Sequence, residues 1–90
     1  MKTRKGYTLR SLGKEFILVA DGFEAVDFSR MISMNESAAF LWKEVEDKDF
    51  DAEMLVNLLT DNYDIDHETA QNDVATMLES WSAAGIIIED

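Results

Sequence analysis

The pattern of apolar and polar residues changes from that of strands to that of helices within one short stretch, 31–42. Met31–Met34 is apolar apart from one serine, which favours a strand. Asn35 is a favoured helix N-cap, and the residues after it place apolar side chains on one wide helical face. The pattern therefore predicts a strand that leads directly into a buried helix, with β structure before this junction and α structure after it.

Two apolar runs near the start of the chain predict a β-hairpin. Tyr7–Arg10 alternates apolar and polar residues, as a half-buried strand does, and Leu12–Lys14 contains the glycine of a tight connection. Phe16–Ala20 is apolar throughout, which is typical of a central strand that is covered on much of both faces.

A turn, a further strand and a two-residue connection are predicted between this hairpin and Met31–Met34. We expect Asp21–Glu24 to turn the chain and Ala25–Phe28 to form the strand. Ser29 and Arg30 then join that strand to the next one. Ser-Arg is an unusual pair for a two-residue turn, so the pattern does not fix the register of this second hairpin.

Capping residues predict three helices after the junction. The first covers 37–45, and the second starts at Asp51 and reaches about Asn62. Asp66 opens the third helix. At Asp51 and at Asp66, an apolar residue precedes the cap and another follows four residues after it, which is the spacing of a hydrophobic staple.

The third helix is predicted to be the longest, because its apolar residues recur at the spacing of one helical face. These residues are Ala70, Val74, Met77, Leu78 and Trp81. Gly85 is the expected residue at the C-terminal end of this helix. Ile86–Ile88 is a short β-branched run that either adds a strand to the sheet or pads the core.

Together these elements predict an α+β fold, in which a small antiparallel sheet of three to four strands is followed by three α-helices. Ninety residues suit a single domain, which we place at residues 7–90. The basic residues 1–6 are expected to form a disordered arm in front of it.

The charge of the chain is unevenly distributed. The formal net charge is −11, and all 8 Lys and Arg residues lie between Lys2 and Lys48, so that residues 49–90 contain acids and no Lys or Arg. Proteins bind nucleic acids largely by neutralising phosphates with such cations. We therefore expect no specific nucleic-acid binding by the helical half, and interpret its acidity first as a solvated surface.

The chemistry that the chain offers points away from catalysis. There is no cysteine, which excludes disulfides and thiolate zinc sites and favours a reducing compartment, so we expect a cytoplasmic protein. No apolar run approaches the ~20 residues of a membrane span. His67, the single histidine, stands at a helix start, where we expect it to be exposed to water. We predict that the protein is not an enzyme and has no cofactor.

An alternation of acidic residues over 47–53 is reminiscent of a calcium-binding loop, but the match fails. Ala52 stands where such a loop needs glycine, and Leu58 stands where it needs its closing glutamate. We therefore predict no metal site.

Five Met, two Trp and five Phe residues raise the possibility of surplus apolar surface beyond the core. Methionine is adaptable and frequent at surfaces that accept varied apolar partners. Met31, Met34, Met77 and Trp81 are therefore candidates for the lining of a groove. We expect Trp81 and Phe40 to be largely core and Met77 to be partly exposed.

The sequence from about Tyr7 to Ile88 resembles the PqqD family. The resemblance rests on the strand order, the Met31–Trp42 stretch, the two Asp-capped helices, and Asp73-Val74 ahead of the Leu78 to Gly85 ending. It implies a winged-helix-like peptide-recognition domain, known as a RiPP recognition element. Such a domain binds the leader segment of a ribosomally synthesised precursor peptide and presents it to a modifying enzyme, often of the radical SAM type.

In this family the leader adds a strand beside the third strand and packs on the last helix. Carried over to this sequence, the resemblance implies a peptide-binding set of Arg30, Met31, Ile32, Ser33, Met34, Asp73, Met77 and Trp81. The acidic flank 64–73 is then expected to favour a peptide that carries Lys or Arg, because complementary charges steer encounter and set register. Related sequences often have Asn-Gly where this chain has Ser29-Arg30.

Two other functions fit the same architecture. A DNA-binding winged helix is less favoured, because its last helix would be basic. An acidic adaptor that docks another protein would need no groove, so a groove beside Met31–Met34 distinguishes the peptide-binding hypothesis from this one. The free strand edge leaves open whether the chain is a monomer or a weak homodimer.

Overall fold

The computed structural model describes residues 1–20 and 31–88. The predicted turn at Asp21–Glu24, the strand at Ala25–Phe28 and the connection at Ser29 and Arg30 lie outside these residues. The elements in chain order are β1 (Lys2–Thr3), β2 (Tyr7–Leu12), β3 (Glu15–Ala20), β4 (Met31–Met34), α1 (Glu36–Val45), α2 (Ala52–Asn62), α3 (His67–Ala84) and β5 (Ile87–Ile88). The predicted α+β class, with a small antiparallel sheet before three helices, is confirmed.

Within the described residues, the larger sheet has three antiparallel strands in the order β2-β3-β4. The β2-β3 hairpin closes at the pair Leu12 and Glu15, and the first of its two loop residues, Gly13, has a φ of 63°. A positive φ at this position suits glycine and a type II′ hairpin turn. The apolar run that forms β3 is the central one of these three described strands, as its continuous hydrophobicity predicts, and β4 is an outer one.

Side-chain caps start all three helices where the sequence predicts them. Asn35 Oδ1 accepts a hydrogen bond from the backbone N–H of Ala38 at 2.8 Å, and Asn35 is the single residue between the end of β4 and the start of α1. Asp51 caps α2 in the same way, through Met54 N–H at 2.9 Å. Each cap satisfies a backbone donor that the first turn of a helix otherwise leaves unpaired.

A second, two-stranded sheet joins the two ends of the described chain and corrects one prediction. Strand β1 pairs antiparallel with β5, Thr3 is only 6% exposed, and Arg4 N–H donates to the carbonyl of Ile86 at 2.8 Å. The expectation of a disordered arm is therefore wrong at Lys2–Thr3. Its exposed lysine and buried threonine alternate as in a strand, but two residues are too few for this period to be recognised in the sequence.

The core contains buried residues from all three helices and from β3, β4 and β5. Trp42 and Trp81 are 1% and 3% exposed, and their rings meet edge to face with centroids 5.3 Å apart. Such pairs add about 0.5–1.5 kcal/mol beyond the apolar area that they bury. The prediction of a core position is thus confirmed for Trp81. Phe40 is only partly buried and packs edge to face against Tyr63, so its predicted place in the core is wrong.

The cap of α3 predicts a pH dependence of stability. Thr69 N–H donates to Asp66 Oδ1 at 2.7 Å, and this bond lowers the pKa of the Asp66 carboxyl below its ordinary value of 3.8. Because the folded-state pKa is the lower one, the cap stabilises the fold above pH 3.8 and this contribution is lost as the pH falls through the folded-state pKa. Asp66→Asn keeps a capping oxygen without this titration. We expect its melting temperature to fall less than that of the wild type as the pH drops below 3.8.

Asp64→Asn is the matched control, because Asp64 is exposed and is not a capping residue. Its melting temperature should follow the wild-type dependence on pH. Parallel curves for wild type and Asp66→Asn in calorimetry would contradict the assignment of this acid-sensitive stability to the cap.

Candidate functional site

The edge of β4 that faces away from β3 is the first component of the candidate site. One edge of β4 pairs with β3, in the register that places Ile32 opposite Leu18 and Ser33 opposite Ile17. Among the described residues, no strand pairs with its other edge. An edge strand of this kind presents unpaired backbone N–H and C=O groups that another extended chain can use.

A groove of about 400 Å³ lies beside this edge, between β4 and α3. Strand β4 contributes Ile32, Ser33 and Met34 to its lining, and the start of α1 closes one side. The residues that α3 contributes are Asp73, Thr76, Met77, Ser80 and Trp81. A volume of this size is within the usual range for ligand sites in proteins, roughly 300–1,000 Å³.

The structure brings most of the sequence-predicted site residues together around this groove. They are Ile32, Ser33, Met34, Asp73, Met77 and Trp81. Met31 is the first residue of β4 and pairs with Val19, whereas Arg30 lies outside the described residues. Residues from two distant parts of the sequence thus line one groove, which is the geometry that the resemblance implied.

On the face of α3 that lines the groove, the residues change from apolar at Trp81 to polar at Asp73. Trp81 is buried, Met77 is half-buried and Asp73 is exposed. This arrangement follows from the helical period, because residues three and four apart lie on neighbouring positions of one face. The groove therefore has apolar side chains at depth and polar ones toward water.

Thr76 and Ser80 also line the groove, and the sequence analysis did not identify them. A search for apolar periodicity passes over hydroxyl residues. The signal that would have found them is the spacing from Asp73, since Thr76, Met77 and Ser80 follow it at i+3, i+4 and i+7.

The other side of the groove is held in place by the cap of α1. Asn35 Oδ1 accepts bonds from Ala38 N–H at 2.8 Å and from Ser37 Oγ at 3.1 Å, and all three residues line the groove. Leu41 of α1 and Leu59 of α2 complete the lining. The start of α1 is thus held by hydrogen bonds that do not depend on a ligand.

The groove offers chemistry for binding rather than for reaction. Its described lining contains apolar side chains, hydroxyls, one amide and the single carboxylate of Asp73, with no paired acid and base. Across residues 1–20 and 31–88, no three His, Cys, Asp or Glu side chains are placed to hold a metal ion. His67 is exposed at the first residue of α3 and does not line this groove.

The part of the chain that the structure describes has no helix long and apolar enough to cross a membrane. Even the longest helix, α3, is amphipathic, with three of its residues fully buried and most of the others exposed. This is the pattern of a helix that packs one face on a protein core.

Comparison with known proteins gives one family and two structural relatives. The family model described as "Coenzyme PQQ synthesis protein D (PqqD)" matches residues 15–87. No curated protein matches the sequence. TbiB1 in complex with the TbiA(beta) leader peptide has a similar structure, with a TM-score of 0.73, 15% sequence identity and complete coverage of both chains.

A second solved structure, lasso peptide synthetase B1 complexed with the leader peptide, has a TM-score of 0.70 and 16% identity. The match covers 98% of this chain and 96% of that chain. At these low identities the two structures show that the fold is shared, because side chains in any binding site have been free to diverge.

Proposed function

The chain belongs to the PqqD family, and from this premise we propose that its groove binds the leader segment of a ribosomally synthesised precursor peptide by β-strand addition along β4. Proteins of this family bind precursor peptides and partner modifying enzymes, without being catalysts themselves. The observation that carries the proposal is the edge of β4 that pairs with no other described strand and lies directly beside a groove with apolar depth.

Strand addition divides affinity and selectivity between backbone and side chains. Backbone hydrogen bonds to the edge of β4 supply affinity that depends little on the peptide sequence, and pockets for alternate side chains supply selectivity. Here the groove with Met77 and Trp81 is the apolar pocket. The flexible thioether of Met77 suits varied apolar side chains.

The proposal includes partners and a compartment. We propose that the bound leader is presented to a peptide-modifying enzyme, of the radical SAM type or another, and that this takes place in the cytoplasm, in keeping with the cysteine-free sequence. No nucleic-acid or membrane partner is proposed. The protein would act as a monomer or a weak homodimer.

The alternatives are less well supported by the structure. A DNA-binding winged helix needs cations on its last helix, whereas α3 contains no Lys or Arg from His67 to Ala84. An acidic adaptor for protein docking needs no groove beside an open strand edge. The groove between β4 and α3 therefore favours peptide binding over both.

The test is an NMR titration of ¹⁵N-labelled protein with a synthetic peptide. The peptide covers the leader of a short precursor encoded beside this gene, and a variant with proline at alternate positions is the control, because it cannot form a strand ladder. We expect amide signals of Ile32, Ser33, Met34 and Met77 to shift with the leader and not with the control. If signals elsewhere move while those of β4 stay unchanged, the proposed site is wrong.

A further inference from the structure

We propose that Asp73 is a specificity-determining residue of the groove, which selects a leader peptide that carries Lys or Arg at one position. This inference rests on the proposed peptide-binding function and deepens it. It concerns one position of the peptide, whereas the strand addition itself depends on the backbone of β4.

Among the described residues that line the groove, Asp73 is the one with a charged side chain. Every other described lining residue is apolar or carries a neutral polar group. Asp73 is exposed, and within the described ranges its carboxylate has no hydrogen bond or ion pair. The carboxylate is therefore free to accept a cation from a bound peptide without first giving up a partner.

The neighbours of Asp73 suit a long cationic side chain in particular. Met77 follows one turn later on the same face of α3, and Thr76 lies beside it. Lys and Arg pack their aliphatic stems on apolar surface while the charged group stays in water. A stem lying along Met77 would bring its charged end to Asp73 and to the Thr76 hydroxyl, at the polar side of the groove.

The sequence analysis expects the acidic flank 64–73 to favour a cationic peptide. Of the acids in this flank, only Asp73 lines the groove. Asp64, Asp66 and Glu68 are exposed and do not line the groove, and Asp66 is engaged as the cap of α3. These carboxylates contribute only to the long-range field, which is screened over a Debye length of about 10 Å at 0.1 M salt. Among the acids of the flank 64–73, position-specific selection of a cation is therefore assigned to Asp73.

A random dodecapeptide display library tests the inference without a known leader. Selection at low salt is carried out on the wild type, on Asp73→Asn and on Asp64→Asn. The two variants change the net charge equally, but only the first lies in the groove. We expect wild type and Asp64→Asn to enrich Lys or Arg at a fixed spacing from an apolar anchor, and Asp73→Asn to lose this preference while keeping the anchor.

Affinities of one enriched peptide and of its Lys→Gln or Arg→Gln analogue then quantify the interaction. For the wild type and Asp64→Asn, we expect the analogue to bind about fivefold more weakly at low salt, as for a well-formed exposed ion pair. For Asp73→Asn, the two peptides should bind nearly equally, which is the mark of a direct interaction in a double-mutant cycle.

The outcomes separate this inference from the proposed function. A Lys or Arg preference retained by Asp73→Asn, or lost equally in Asp64→Asn, overturns the assignment to Asp73. Enrichment of apolar peptides without any preferred cation overturns the inference and leaves peptide binding standing. Failure to enrich any peptide on any of the three proteins counts against the proposed function itself.

Discussion

Truncation of Trp81 to alanine is expected to lower the free energy of unfolding by about 3–5 kcal/mol. Trp81 is 3% exposed and meets Trp42 edge to face, so its removal leaves a cavity at the contact between α3 and α1. Small domains have a total stability of only about 5–15 kcal/mol, so this loss is a large share. Urea titration followed by far-UV circular dichroism measures it without relying on the deleted fluorophore.

Met77→Ala is the matched variant on the same helix. Met77 lines the groove but is only half-buried, so its truncation should cost about 1 kcal/mol or less of stability. It should weaken peptide binding, because it removes apolar contact area from the groove. Equal losses of stability for Trp81→Ala and Met77→Ala would contradict the division of α3 into a core residue and a groove residue.

The elements that the sequence predicts well are those whose causes are local. The caps at Asn35, Asp51 and Asp66 each depend on a side chain and a backbone N–H three residues later, so a short stretch contains the whole interaction. The end of α3 at Gly85 is equally local, since its φ of 75° is a conformation that favours glycine.

The parts that the sequence did not predict depend on distant residues. Strand β1 exists because β5, at the other end of the described chain, pairs with it and because Thr3 is buried there. A segment of two residues is too short to show the alternation of apolar and polar residues that identifies a strand. Phe40 belongs to the apolar pattern of α1, but its surroundings include Tyr63 after α2, and only the tertiary fold decides how much of its ring is covered.

The lining of the groove was predictable only where it follows from a local sequence pattern. Met77 and Trp81 follow from the apolar period of α3, and Met34 follows from the strand before Asn35. That these residues lie beside the same groove depends on how α3 packs relative to β4, which no local pattern encodes. The hydroxyls of Thr76 and Ser80 became visible as groove residues only through that packing.

A proline in β4 is expected to have different effects at neighbouring positions. At one position it prevents the peptide from pairing with β4, and at the next it disturbs the pairing of β4 with β3. Neighbouring residues of a strand direct their N–H groups to opposite sides, so the N–H of one of Ile32 and Ser33 faces β3 and that of the other faces away from β3. Proline removes that donor, and it is tolerated in a sheet where the N–H faces away from the ladder. We therefore expect one of Ile32→Pro and Ser33→Pro to keep the wild-type fold and to bind a leader peptide at least about tenfold more weakly, a loss of ~1.4 kcal/mol.

Ile32→Ala and Ser33→Ala are the controls, because each removes the same side chain and keeps the backbone donor. Ser33 is exposed and Ile32 is partly buried, so Ser33→Ala should be nearly neutral for stability and Ile32→Ala mildly destabilising. Calorimetry identifies the proline variant with native stability, and fluorescence anisotropy with a labelled leader peptide measures its affinity. If that variant binds the peptide as tightly as its alanine counterpart, the backbone of β4 does not pair with the peptide, and binding depends on the side chains of the groove alone.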